Sequence, residues 1–233
     1  MQTFFGSARE DDELERANQE FWRCLLHHAR AEMPTDEVRC LLDIGCHRGG
    51  LLDLLTHHYH PERLLGLEPL AGARERAIFR LKGRAPAVQI LDTARWPSIS
   101  STSVDLVTCH EVLHLIADLQ QFMADLSRIM RPGAVALVAL GSHAENPVWQ
   151  QWKPQLLAQG HVVFDHFPLD ILSAASAAGF HTGLQPLRRQ GWVIYDPRAA
   201  EFKYPSVGEM LDHQYRHKLL FRLIKKNLQT ETS

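Results

Sequence analysis

The sequence predicts an α/β fold, a doubly wound and mostly parallel sheet with helices on both faces. Three observations predict it. Short apolar runs alternate with helical stretches between Val38 and Leu140, the pattern that lays helices across a parallel sheet. The first run enters Asp43 and then a glycine turn within LLDIGCHRGGLL, Leu41 to Leu52. Glycine lets such a turn take positive φ and lets a ligand approach closely, and the helix that follows presents free N–H groups. The next two runs also end in acids, Glu68 and Asp92, and ligands of open α/β sheets bind at such strand ends.

The elements follow in order. Asp11 and Asp12 suit a helix start, and Leu14, Ala17, Phe21, Trp22, Leu25 and Leu26 recur at helical spacing before Pro34 ends the segment. Val38 to Ile44 is the first strand and Leu51 to His58 a helix. Arg63 to Glu68 is the second strand, Pro69 to Lys82 a helix, Ala87 to Leu91 the third strand and Val104 to Cys109 the fourth. Val112 to Met130 reads as one helix stopped by Pro132 and Gly133, with Ala134 to Leu140 as the fifth strand. Ser142 to His166 reads as a polar, aromatic-bearing connection. Leu169 to Ala178 is a helix that Gly179 ends, and Phe180 to Leu187 with Gly191 to Tyr195 suggests a hairpin. In the tail, Val207, Met210, Leu211 and Tyr215 fit an amphipathic helix. LLFRLIKK, Leu219 to Lys226, either continues it or forms a last strand.

This organisation is expected to be one domain over residues 1–233: a helical cap (1–37), a ligand-binding half (38–141) and a substrate-side half (142–233). Net charge is −2, so nothing global points to a nucleic-acid partner. No apolar run is long enough to span a bilayer. The opening MQTFFGSAREDDELER lacks the basic and apolar regions of a signal peptide. Cys24, Cys40, Cys46 and Cys109 form no CxxC pair and read as reduced, mostly buried thiols. Together these features suggest a cytoplasmic protein without a membrane partner.

The stretch from Val38 to Leu140 resembles class I S-adenosylmethionine-dependent methyltransferases of the small-molecule type. Their first motif is an acid followed by G-x-G-x-G. Asp43, Gly45 and Gly49 match it, while His47 stands at the middle glycine. Histidine is among the non-glycine residues enriched at positive φ, so the turn can persist. VDLVTCHEVLHLIAD and LSRIMRPGAVALVAL resemble the family's fourth-strand segment and its helix, basic-Pro-Gly turn and fifth strand. The resemblance implies a Rossmann-like sheet of order 3-2-1-4-5 followed by an antiparallel pair. It implies S-adenosylmethionine as cofactor, held by Asp43, Gly45, Cys46, His47, Gly49, Glu68, Pro69, Asp92, Thr93 and His110, with Glu68 on the ribose. No Asn-Pro-Pro-aromatic tetrapeptide follows Asp92 or the fourth strand, which argues against methylation of a nucleobase or glutamine amide.

Methyl transfer to a small-molecule acceptor asks the protein mainly to position and desolvate. His110, Glu111 and His114 follow the fourth strand and are the candidate catalytic residues, either imidazole being able to take a proton. Trp22, Trp149, Trp152, Phe164 and Phe167 are available aromatics, with Trp149 and Trp152 the better candidates for an apolar acceptor wall. His57, His58 and His60 lack the ligand set of a metal site and suit a helix C-terminus instead. Arg216, Lys218, Arg222, Lys225 and Lys226 could form a basic face for an acidic carrier or anionic acceptor. Two other readings remain at this level. One is a non-catalytic regulatory or partner subunit with the same fold. The other is a nicotinamide dehydrogenase, disfavoured because the turn lacks G-x-G-x-x-G.

Overall fold

The computed structural model describes residues 7–194 and 204–227. Helix α1 (Ala8–Glu32) starts where the Ser7 hydroxyl accepts the Glu10 N–H, and Glu10 and Asp11 complement the dipole of its first turn. Strands β1 (Cys40–Ile44), β2 (Arg63–Leu67), β3 (Ala87–Leu91), β4 (Val104–His110) and β5 (Met130–Leu140) alternate with helices α2 (Gly50–Thr56), α3 (Ala71–Leu81) and α4 (Leu119–Ile129). Helices α5 (Trp149–Ala158) and α6 (Pro168–Ala177), strand β6 (Phe180–Pro186), helix α7 (Val207–Asp212) and strand β7 (Leu219–Lys225) complete the described chain.

The strands form one sheet of order β3-β2-β1-β4-β5-β7-β6. The first five run parallel, and β7 lies antiparallel to both β5 and β6. One core lies under α4 and α6, with Leu42, Val107, Phe122, Met123 and Phe221 buried together. The other lies under α1, α2 and α3, with Leu25, Leu41, Leu52, Leu64 and Leu106. Alternate residues of one strand, such as Leu41 and Leu42, therefore feed opposite cores, which is why the strands read as continuous apolar runs.

Several expectations need correction. The helix read from Val112 to Met130 is broken. Glu111 takes positive φ, a 3-10 turn covers Leu113–Leu115, and α4 starts afresh where the Asp118 carboxylate accepts the Gln121 N–H. Periodicity continued through the gap because Leu115 and Leu119 are spaced as in a helix. The fifth strand starts at Met130 and runs through Pro132 and Gly133, with a register irregularity between Val104 and Leu106. The connection after Ser142 contains α5, whose Trp149, Trp152 and Leu156 are buried at helical spacing; Pro154 inside it forgoes one main-chain bond without ending it. Phe180 pairs with β7 rather than with Gly191, so β6 is not half of a local hairpin; Tyr195 lies outside the described residues. Of the two readings of LLFRLIKK, the strand is correct. Among the described residues no helix is long and apolar enough to cross a membrane.

Candidate functional site

The C-terminal ends of β1, β2 and β4 open into a cavity of about 1840 Å³ roofed by α1. Asp43, Gly45, Cys46, His47, Glu68, Pro69, Thr93, His110, Glu111 and His114 all line it. Its size exceeds the ordinary span of about 300–1,000 Å³ for one small ligand, so it has room for two.

The first end is built on backbone. Gly45 and Cys46 N–H groups both donate to the Leu67 carbonyl, at 2.8 and 3.1 Å, drawing the turn onto β2. Gly45 has φ +74°, and a Cβ there would lie 2.3 Å from Val112 Cγ2, so only glycine fits. His47 takes φ 46°, as the match to a glycine position implies, and its N–H donates to Glu68 Oε2 at 3.0 Å. Glu68 Oε1 accepts the Leu70 N–H at 2.8 Å. Each carboxylate oxygen still has a lone pair for a ligand hydroxyl. Burial raises the Glu68 pKa, opposed by these two N–H groups. Burial likewise pushes Asp43 up to about 7, opposed by the Thr108 hydroxyl and reinforced by Glu68. Two residues of the expected cofactor set do not line the cavity. Asp92 sits at the end of β3, but its carboxylate accepts the Ala94 N–H and pairs with Arg74 at 2.9 Å. Gly49 is the left-handed N-cap of α2.

The second end is built on side chains. The Glu111 carboxylate accepts the Gly141 N–H at 2.7 Å and the Ser142 N–H at 3.3 Å, and pairs with the Lys218 ammonium. Lys218 Nζ also stands 4.4 Å over the Phe21 ring. Gly141 permits this crowding: a Cβ there would lie 2.6 Å from His213 Cε1 and 3.1 Å from both Glu111 Oε1 and Lys218 Cδ. Burial pushes the Glu111 carboxyl up, but Lys218, His110 and His114 outweigh it and hold it below the ordinary carboxylate range.

Three neutral imidazoles complete this end. The Trp22 indole N–H donates to His110 Nδ1 at 3.4 Å, which puts the His110 proton on Nε2. That Nε2 is buried without a hydrogen-bond partner among the described residues. His114 is 4 % exposed; its Nδ1 stands 3.8 Å from Glu111 Oε2 and makes no hydrogen bond. Burial lowers His110 far below its usual value, His114 to about 4 and His213 to about 3, so none is a cation at neutral pH. Phe21, Trp22, Trp96, Phe122, Trp152 and Tyr204 are the aromatic rings that line the cavity, and Trp152 packs edge-on against Tyr204.

The expected aromatic and basic groups are only partly gathered. Trp149 is fully buried and donates to Asp165, while Phe167 is exposed; neither they nor Phe164 line the cavity. The basic residues of the tail form no common face. Lys218 is buried on Glu111, Arg222 pairs with Glu32, Arg216 with Asp212, and Lys225 with the Ser127 hydroxyl. His57 Nδ1 contacts the Asp53 carbonyl and His58 contacts Thr35. Among the described residues no group of three or more His, Cys, Asp or Glu is placed to hold a metal ion. Sequence reasoning missed Tyr204 and His213 and took Phe21 and Lys218 for other things. The available signal was Gly141, a glycine directly after the fifth strand.

The sheet order is that of class I S-adenosylmethionine-dependent methyltransferases, and the chain has that fold. Residues 42–136 match the family described as a methyltransferase domain. The trans-aconitate 2-methyltransferase of Azoarcus sp. (strain BH72) is 23 % identical over 117 residues, covering 50 % of this chain and 45 % of the relative. The chain thus spans less than half the length of that relative. Among solved structures, a chain from the Haloferax volcanii complex between the Trm112 methyltransferase activator and a methyltransferase superposes with TM-score 0.75 at 21 % identity, covering 97 % of this chain and 99 % of that one. An S-adenosylmethionine-dependent methyltransferase from Mesorhizobium loti gives TM-score 0.62 at 17 % identity, covering 87 % and 98 %.

Proposed function

We propose that the chain binds S-adenosylmethionine and catalyses methyl transfer to a small-molecule acceptor. The observation that carries this is the single cavity joining the Asp43–Gly45–Glu68 end to the His110–His114 end. Glu68 has the free lone pairs for the ribose hydroxyls, and Asp43, Gly45, Cys46, His47, Pro69 and Thr93 surround it. Bound there, the cofactor supplies a methyl group on a cationic sulfur, activated before the protein acts. The chain's own residues then bind, align and dry the acceptor. Trp22 and the rest of α1 exclude water, and Glu111 anchors the second end.

A polycarboxylate acceptor, such as the one in the name of the Azoarcus relative, would need cations at that end. Lys218 is committed to Glu111, and the imidazoles there are neutral.

A second reading adds an activator subunit, as in the Haloferax complex. Its support on this chain is the outer edge of β3, next to which α3 exposes Ile78 (51 %) and Phe79 (84 %). Calorimetry with S-adenosylmethionine, its demethylated product and NAD tests the main reading. The first two should bind and NAD should not; NAD binding alone would overturn it.

A further inference from the structure

We propose that the methyl acceptor is lipophilic, with a long hydrocarbon tail that lies on two apolar walls of the cavity, one built on α1 and α5 and the other on the core under α4. This rests on the reading of the cavity as a methyltransferase site and names the acceptor class for it.

A third, small core carries the first wall. Val148, Trp149, Trp152 and Leu156 are buried together, and Leu14 of α1 and Tyr204 pack against them partly buried. Leu14, Trp152, Leu156 and Tyr204 all line the cavity. The second wall belongs to the core under α4. Trp96, Val112 and Ile116 pack partly buried against that core, and the Trp96 ring meets the Phe122 ring edge-on at 5.3 Å. All four line the same cavity. Each of these side chains gives one side to a core and another to the cavity.

Charge does not compete for this space. Of the ionised groups around the cavity, Glu13 pairs with Arg9, Asp12 and Glu15 with Arg48, Glu20 with Arg23, and Glu111 with Lys218. A polar chain laid on the two walls would exchange water for aliphatic and aromatic carbon, which is unfavourable. A hydrocarbon chain gains there instead, about fourfold in affinity for each methylene buried.

Size points the same way. A volume of about 1840 Å³ leaves more room beside a cofactor-sized ligand than a compact acceptor fills. The apolar lining also reaches Met210 and Val207, and Val207 is 67 % exposed, so a tail need not end inside the protein.

The test uses the full chain with the demethylated cofactor product bound. In calorimetry with 1-hexanol, 1-octanol and 1-decanol, affinity should rise about tenfold with each added pair of methylenes. One molecule of 1-decanol should bind per chain, more tightly than trans-aconitate. Leu14→Asp and Ile116→Asp, one on each wall, should weaken 1-decanol at least about tenfold and 1-hexanol less than about threefold. Melting curves check folding. Leu14→Ala and Ile116→Ala, with losses of about three- to fivefold for 1-decanol, replace any variant that does not fold. Affinity that does not rise with chain length would overturn the proposal. So would trans-aconitate binding more tightly than 1-decanol, or unchanged 1-decanol binding in the folded variants of either wall. Failure to bind the cofactor product, with the alcohols still bound as expected, would instead overturn the methyltransferase reading and leave a lipid-binding cavity in its place.

Discussion

Around β1 and β2 the cavity wall is fastened by main-chain groups near in sequence; beyond β4 it is fastened by side chains far apart. Glu68 is held by the N–H groups of His47 and Leu70. Glu111 is held by Gly141, Ser142 and Lys218, the last of them 107 residues away. A wall of backbone keeps its shape when a side chain changes, which suits a site for one constant ligand. A wall of side chains can be remodelled by single substitutions, which suits a ligand that differs between relatives.

The sharpest way to break this contrast is to remove a fastening from the second end. Lys218→Met leaves Glu111 buried without its cation, and breaking a buried pair in this way costs roughly 3–5 kcal/mol. Thermal unfolding should show a loss of that order, with Glu111→Gln/Lys218→Met recovering part of it. A melting curve like the parent's would show that the pair holds nothing together.

At the first end the corresponding change should touch binding more than folding. Glu68→Gln removes charge-assisted hydrogen bonds worth roughly 1.5–3 kcal/mol. The Kd for S-adenosylmethionine should rise at least about tenfold, with unfolding shifted much less than in Lys218→Met. Equal damage to stability in both variants would erase the distinction between the two ends.

Titration offers a milder probe. Asp43 is held near 7 by burial, so the ligand-free protein keeps a proton there that an unfolded chain has lost above about pH 4. Its contribution to stability therefore falls as pH rises from about 4 to 7. A cationic ligand favours the ionised form, so S-adenosylmethionine should bind several-fold more tightly at pH 8 than at pH 6. Asp43→Asn should flatten that dependence in calorimetry.

The smallest effect is expected at His47. Glycine takes its φ of 46° without strain, and the N–H to Glu68 survives. The substitution removes only the side chain, whose Nε2 stands 3.4 Å from Asp11 of α1. Affinity for S-adenosylmethionine in His47→Gly should stay within about threefold. A large loss would mean that the imidazole itself contacts ligand.

The first end was legible because its geometry is written in consecutive residues. An acid, a glycine turn and a helix start require one another within Asp43 to Gly50, and two further strands end in acids. What a sequence could not show there is that Asp92 pairs with Arg74, a turn of helix beyond β2. The second end joins Phe21, Glu111, Gly141, His213 and Lys218, and no periodicity links residues so far apart. His110 and His114 could be picked out from their place after the fourth strand. Which ring nitrogen carries the proton could not, because Trp22 decides it from α1.

Helix α1 spans both ends. Arg48, beside the glycine turn, pairs with Asp12 and Glu15, and Arg80 pairs with Glu15. Two turns further on, Phe21 lies under Lys218 and Trp22 bonds His110. One helix braces both ends, so binding at one is expected to change affinity at the other, which titrating one ligand in the presence and absence of the other would measure. Reciprocity follows: whatever factor cofactor binding adds to the affinity for acceptor, the acceptor returns to the cofactor.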